Sequence, residues 1–125
     1  MPAPRLQIDL DKITHNARTL VERLAGRDIS VIAITKATLG LPELAGALIR
    51  AGVSGLGDSR IENIRAMRQA SVPASLTLIR TPMLSQAERV VRFADVSFNS
   101  EIDVVKKLSR AAQDAQRTHR IVLMV

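Results

Sequence analysis

The chain has 125 residues, room for one domain with a sizeable core, and an ordinary apolar share of 46%. Its only aromatics are Phe93 and Phe98, so that core must be aliphatic. There is no cysteine, which excludes disulfides, thiolate metal sites and thiol nucleophiles; the net charge of +6 permits a phosphate or nucleic-acid partner without establishing one.

The start, Met1-Pro2-Ala3-Pro4-Arg5, lacks the apolar stretch of a signal peptide, and no apolar run approaches the ~20 residues of a membrane span. A cytoplasmic protein without a membrane partner is the expectation. Apolar strand-like runs then alternate with amphipathic segments. A leading strand is predicted over Leu6 to Leu10, with Asp9 inside it read as structural. Asp11 is expected to cap a helix whose Ile13, Ala17, Leu20, Val21 and Leu24 share one face and which stops at Gly26. Further strands are predicted over Ile29 to Thr35, Val53 to Gly57, Leu76 to Arg80, Asp95 to Asn99 and Arg120 to Val125.

Between them, Pro42 suits a first helical turn and Gly52 a stop. Three later helices are expected to open on a serine followed three residues on by a carboxylate: Ser59 with Glu62, Ser85 with Glu88, and Ser100 with Asp103. Strand starts at 29, 53, 76, 95 and 120 give the rhythm of successive βα units. Such units build an open doubly wound sheet or a barrel. No Gly-rich phosphate fingerprint follows any strand, and a barrel needs eight units in ~250 residues. The expectation is an α/β chain of parallel βα units forming about half of a TIM-type barrel, with residues 1–125 as a single N-terminal portion and the C-terminal half absent.

Lys36 is the most informative residue. It follows Ile29-Ser30-Val31-Ile32-Ala33-Ile34-Thr35, a run that reads as a strand buried on both faces. Active sites of parallel α/β folds lie at the C-terminal ends of the strands. The chain has four lysines against fourteen arginines, so an amine at this place answers a need a guanidinium cannot meet: it can lose its proton and attack a carbonyl. Burial at a barrel mouth would favour that neutral form. On position alone, most lysines after strands are simply solvated.

Five stretches together resemble the N-terminal half of the alanine racemase-like barrels, the fold type III pyridoxal 5'-phosphate (PLP) enzymes, in their alanine/ornithine racemase-type branch. They are Leu6-Gln7-Ile8-Asp9-Leu10-Asp11-Lys12-Ile13-Thr14-His15-Asn16, Ala33-Ile34-Thr35-Lys36, Leu56-Gly57-Asp58-Ser59-Arg60-Ile61-Glu62-Asn63-Ile64, Leu78-Ile79-Arg80-Thr81-Pro82-Met83 and Ser97-Phe98-Asn99-Ser100-Glu101. The resemblance implies that Lys36 forms the internal aldimine with PLP and that the chain comes from an amino-acid racemase working by removal and return of the Cα proton. It departs from alanine racemase proper, which uses a tyrosine as second acid/base and reads Tyr-Gly-His-Gly after the lysine. Here there is no tyrosine, and Ala37-Thr38-Leu39-Gly40 follows, which speaks against alanine as substrate. The family's phosphate contacts come from the second half of its barrel.

Arg80 and Asn99 end strand candidates and are the other cofactor-site candidates: Arg80 as a cation facing the cofactor ring or a substrate carboxylate, or else a surface arginine, and Asn99 as a pocket residue. Ser100 reads as a cap rather than a ligand, Arg60 and Asn63 as mouth or first-turn residues, and His15 and His119 as surface residues. No acidic or histidine pair has metal spacing. The arginines spread over several helices with no aromatic residue interleaved, so nucleic acid is not an expected partner. The partners expected are a small-molecule amino acid and a second copy of the chain, since a half barrel leaves the apolar last strand at an edge. The alternatives are a PLP-binding homeostasis protein without a defined reaction and an inactive folding unit.

Overall fold

A computed structural model describes residues 1–125. Five helices, α1 (Leu10–Ala25), α2 (Pro42–Arg50), α3 (Ile61–Gln69), α4 (Ala87–Phe93) and α5 (Ile102–Asp114), alternate with five short strands. These are β1 (Ile32–Ile34), β2 (Gly55–Asp58), β3 (Leu76–Leu78), β4 (Val96–Asn99) and β5 (Arg120–Leu123). Every neighbouring pair is parallel and the sheet order is the chain order, β1-β2-β3-β4-β5. That is about half of a (βα)8 barrel, as the spacing of the apolar runs predicts.

The two faces of the sheet differ because side chains alternate along a strand. Leu56, Leu76 and Leu78 point to one face and meet Ile64 and Met67 of α3, Val90 and Val91 of α4, and Val104 and Leu108 of α5. Each fully buried aliphatic side chain there contributes about 1.5–3 kcal/mol of transfer free energy. The other face carries Ile32 and Ile34 opposite Gly55 and Gly57. A Cβ on Gly57 would stand 2.8 Å from Ile34 Cδ1 and 3.1 Å from Ile79 Cγ2, so the glycine lets its neighbours' side chains close over the strand. This face is the inner wall of the partial barrel and it is open: Ile32 is 51% exposed and Ile34 43%.

Several expectations change. Leu6 to Leu10 is not a strand: residues 1–9 form no regular structure, and Leu10 already opens α1. The helix cap is Asp9, not Asp11; its Oδ1 accepts from the N–H groups of Asp11 and Lys12, both at 3.1 Å. Ile13, Ala17 and Val21 of α1 are half-buried as expected, while Leu20 stays 48% exposed. The strand before Lys36 is three residues long, and its Ile32 and Ile34 lie on the uncovered inner face, so it is not buried on both faces.

None of the three serine caps forms. Residues Arg60, Gln86 and Glu101 hold the cap positions of α3, α4 and α5, without side-chain capping bonds. Asp58 Oδ1 takes the Arg60 N–H at 2.9 Å instead, and Gln86 Oε1 takes the Met83 N–H at 3.0 Å. Two arginines do meet an aromatic: the guanidinium carbons of Arg65 and Arg92 lie 5.8 and 5.3 Å from the Phe93 ring centroid. No helix is long and apolar enough to cross a membrane.

Candidate active site

A parallel sheet brings all its strand C-termini to one rim, where the active sites of such folds are found. Lys36 lies two residues beyond β1, Arg80 two residues beyond β3, and Asn99 closes β4. All three sequence candidates therefore share the rim, but they differ in what surrounds them.

Lys36 opens a 3-10 turn, Lys36–Thr38, and its side chain is exposed and free of any ion pair. The burial expected at a barrel mouth is missing because no element of this chain covers the inner wall. The main chain beneath the side chain is tightly held. The Thr35 carbonyl accepts from Thr38 N at 3.0 Å, Gly40 N at 3.2 Å and Thr38 Oγ1 at 3.1 Å. Thr35 N donates to the Gly57 carbonyl at 2.9 Å, tying the turn to β2. Leu39 and Gly40 both adopt left-handed backbone, with φ of 54° and 67°. Such a pair bends the chain sharply, and only a glycine fits the second place: a Cβ on Gly40 would stand 2.9 Å from both Asn63 Cβ and the Asn63 carbonyl oxygen.

Beside this turn lies a buried carboxylate that sequence reasoning left without a role. Asp58 is 0% exposed and Thr35 1%. Asp58 Oδ2 accepts from Thr35 Oγ1 at 2.7 Å, and Oδ1 accepts from Arg60 N at 2.9 Å and Asn63 Nδ2 at 3.0 Å. Asn63, which the sequence placed at the mouth or in a solvated turn, thus points into the protein. The signal was present in Gly55-Leu56-Gly57-Asp58: alternation puts Asp58 on the face of Leu56, toward the helices.

Arg80 is exposed and lines a cleft of about 350 Å³ with Ser59, Arg60, Glu62, Thr81 and Gln86. Neither Arg60 nor Arg80 has an ion-pair partner. Lys36 is not among the residues around this cleft. Asn99 is fully buried; its Nδ2 donates to the Ser97 carbonyl and to Ser97 Oγ, each at 3.0 Å, and its Oδ1 has no partner. Ser100 meets Thr81 side chain to side chain at 3.2 Å rather than capping α5.

His119, read as a surface residue, is half-buried and holds Ser97 Oγ at 2.8 Å through Nε2. Burial lowers its pKa from the usual 6.5, helped by the charge of Arg117 and opposed by the Ala94 carbonyl and by Asp95. Asn99 donates to the same Ser97 Oγ, so that hydroxyl bridges Asn99 and His119.

Known proteins are similar to this chain in sequence or in fold. The lysine racemase of Thermotoga maritima is 38% identical over 125 residues, covering 100% of this chain and 35% of its own length. The ornithine racemase of Acetoanaerobium sticklandii is 31% identical over 123 residues, 98% of this chain and 34% of its own. Among solved structures, the D-threonine aldolase of Filomicrobium marinum superposes with a TM-score of 0.86 at 17% identity, over 99% of this chain and 34% of its own. PipY of Synechococcus elongatus, solved with PLP bound, gives 0.67 at 20% identity, over 84% of this chain and 53% of its own. The chain spans about a third of the length of the curated relatives it matches. The alanine racemase N-terminal domain matches residues 8–125, and the chain belongs to that family as the N-terminal part of a fold type III barrel.

Proposed function

We propose that this chain is the N-terminal portion, residues 1–125, of a cytoplasmic PLP-dependent racemase for dibasic amino acids, with Lys36 as its reactive amine. The observation that carries the reading is an unpaired lysine at the C-terminal rim of a parallel βα array that aligns along its whole length with a lysine racemase. The rim suits an aldehyde cofactor. Its amine is exposed and free of carboxylate partners, and the one buried acid nearby, Asp58, has both oxygens engaged by neutral donors.

Bound PLP supplies an electron sink for the charge that develops when a Cα proton leaves. Lys36 supplies the amine that holds the cofactor and then moves a proton at the substrate Cα. Arg80, with no carboxylate of its own, offers a guanidinium to the cofactor ring or to a substrate carboxylate. Asn99 underlies the rim between Arg80 and β5. The proton donor on the opposite face of the substrate is not a tyrosine of this chain, which has none. The dibasic preference rests on the lysine and ornithine racemases and on Ala37-Thr38-Leu39-Gly40 in place of the alanine racemase signature.

Reductive trapping tests the amine. The 125-residue chain, mixed with PLP and treated with borohydride, is expected to carry the label on Lys36 in preference to Lys12, Lys106 and Lys107, with weak binding; Lys36→Ala removes it. Equal labelling of all four lysines sinks the reading. Fusion to the remaining two-thirds of the Thermotoga lysine racemase tests the reaction. Solvent deuterium is expected at Cα of lysine and ornithine, not alanine, and only with Lys36 intact.

A further inference from the structure

We infer that Asp58 and Thr35 are positioning residues for Lys36, forming with Asn63 and Gly40 a closed clamp that fixes the backbone from which the lysine projects. This rests on the role proposed for Lys36 and deepens it.

The clamp is continuous. Asp58 at the end of β2 holds the Thr35 hydroxyl at 2.7 Å through one oxygen and Asn63 Nδ2 at 3.0 Å through the other. Asn63, in the first turn of α3, butts against Gly40, and Gly40 N returns to the Thr35 carbonyl at 3.2 Å. Lys36 follows Thr35 directly, within the turn that the Gly40 N–H to Thr35 carbonyl bond closes. The ring is buried: Asp58 is 0% exposed, Thr35 1% and Asn63 9%.

Stability alone does not call for it. The same face of the sheet holds Leu56, Leu76 and Leu78, and an apolar side chain at 58 would continue that layer. A buried carboxylate without a cation costs desolvation that hydrogen bonds only offset. Here every bond it accepts reaches either the lysine-bearing turn or the helix start that abuts it. The turn also keeps a non-glycine residue, Leu39, in left-handed backbone, a strain that persists only where surrounding contacts over-determine it. Reactive groups need this support, since a displacement of about 1 Å costs on the order of a hundredfold in rate.

The test uses the 125-residue chain and the variants Thr35→Val, Thr35→Ser and Asp58→Asn. Two quantities are read: exchange of the Thr38 and Gly40 amide hydrogens, and borohydride-trapped PLP on Lys36 relative to Lys12, Lys106 and Lys107. Thr35→Val and Asp58→Asn are expected to speed exchange and to lower the Lys36 ratio on the order of tenfold; Thr35→Ser, which keeps the hydroxyl, restores both. Circular dichroism confirms folding, and if Thr35→Val unfolds the chain, Asp58→Asn against Thr35→Ser decides. Unchanged exchange overturns the clamp. Faster exchange with an unchanged Lys36 ratio overturns the positioning role and leaves the Lys36 reading standing. A wild-type chain with no preference for Lys36 overturns the Lys36 reading and the positioning role with it, while amide exchange still reports on the clamp.

Discussion

Arg68 of α3 grips Asp95 just ahead of β4: Nη2 lies 2.7 Å from Oδ2, and the same oxygen accepts the Leu76 N–H at 2.8 Å. Arg68 Nε also donates to the Phe93 carbonyl at 3.1 Å. One guanidinium thus joins α3, the end of α4 and the bottoms of β3 and β4, opposite the rim that carries Lys36.

Burial by itself would raise the Asp95 pKa, but the Leu76 N–H and Arg68 outweigh it and hold it below the usual 3.8. A lowered carboxylate pKa means that the folded state binds fewer protons. The stabilisation is therefore complete above 3.8 and is lost as pH falls through the lower native value. Urea unfolding followed by circular dichroism is expected to give Arg68→Ala a loss of about 1 kcal/mol at neutral pH, the pair being partly exposed. That loss should shrink once Asp95 is protonated. An Arg68→Ala penalty that is constant down to pH 2 would contradict this account.

The histidine at 119 acts in a higher window. Its pKa is lowered, so its contribution is full above 6.5 and declines as acid drives the pH below that value through the native one. Wild-type stability is expected to fall between pH 7.5 and 5, and His119→Gln to flatten that slope.

Two glycine substitutions should move stability in opposite directions. Gly40→Ala forces a Cβ against the Asn63 backbone in left-handed conformation, at a cost of roughly 2 kcal/mol or more. Gly26→Ala meets nothing within 4 Å at φ −64°, and is expected to be neutral or to stabilise by about 0.4–1 kcal/mol. Thermal melts of both variants check the pair.

The outer strand β5 exposes Ile121 at 40% and Leu123 at 61%, and Met124 just after it is 50% exposed. Burying one such side chain contributes about 1.5–3 kcal/mol, so for the 125-residue chain taken alone, without the units that follow in its longer relatives, a second copy is the expected cover. Light scattering should report a homodimer that Leu123→Lys dissociates. A monomer at micromolar concentration would refute it.

The sequence reveals the βα order because each strand is an apolar run closed by a turn, and it places Lys36, Arg80 and Asn99 at strand ends. It misleads over Leu6 to Leu10, where real alternation builds no strand, and at Ser59, Ser85 and Ser100, none of which caps a helix; at the first of these Asp58 takes the Arg60 N–H instead. The Thr35–Asp58 contact joins the residue just past β1 to the last residue of β2, which only the parallel register brings together. His119 looks polar and loop-bound until β5 pairs with β4 and carries it against Ser97.

Strand order that repeats chain order also has a meaning in time. Ile32 meets Gly55, Leu56 meets Leu76, Thr77 meets Val96, and Val96 meets Arg120. No strand waits for a distant one, so each loop closed is short and the sheet can lengthen by accretion as the polypeptide leaves the ribosome. At every stage the nascent sheet offers its newest strand as the growing edge, and the next unit to emerge is the one that shields it.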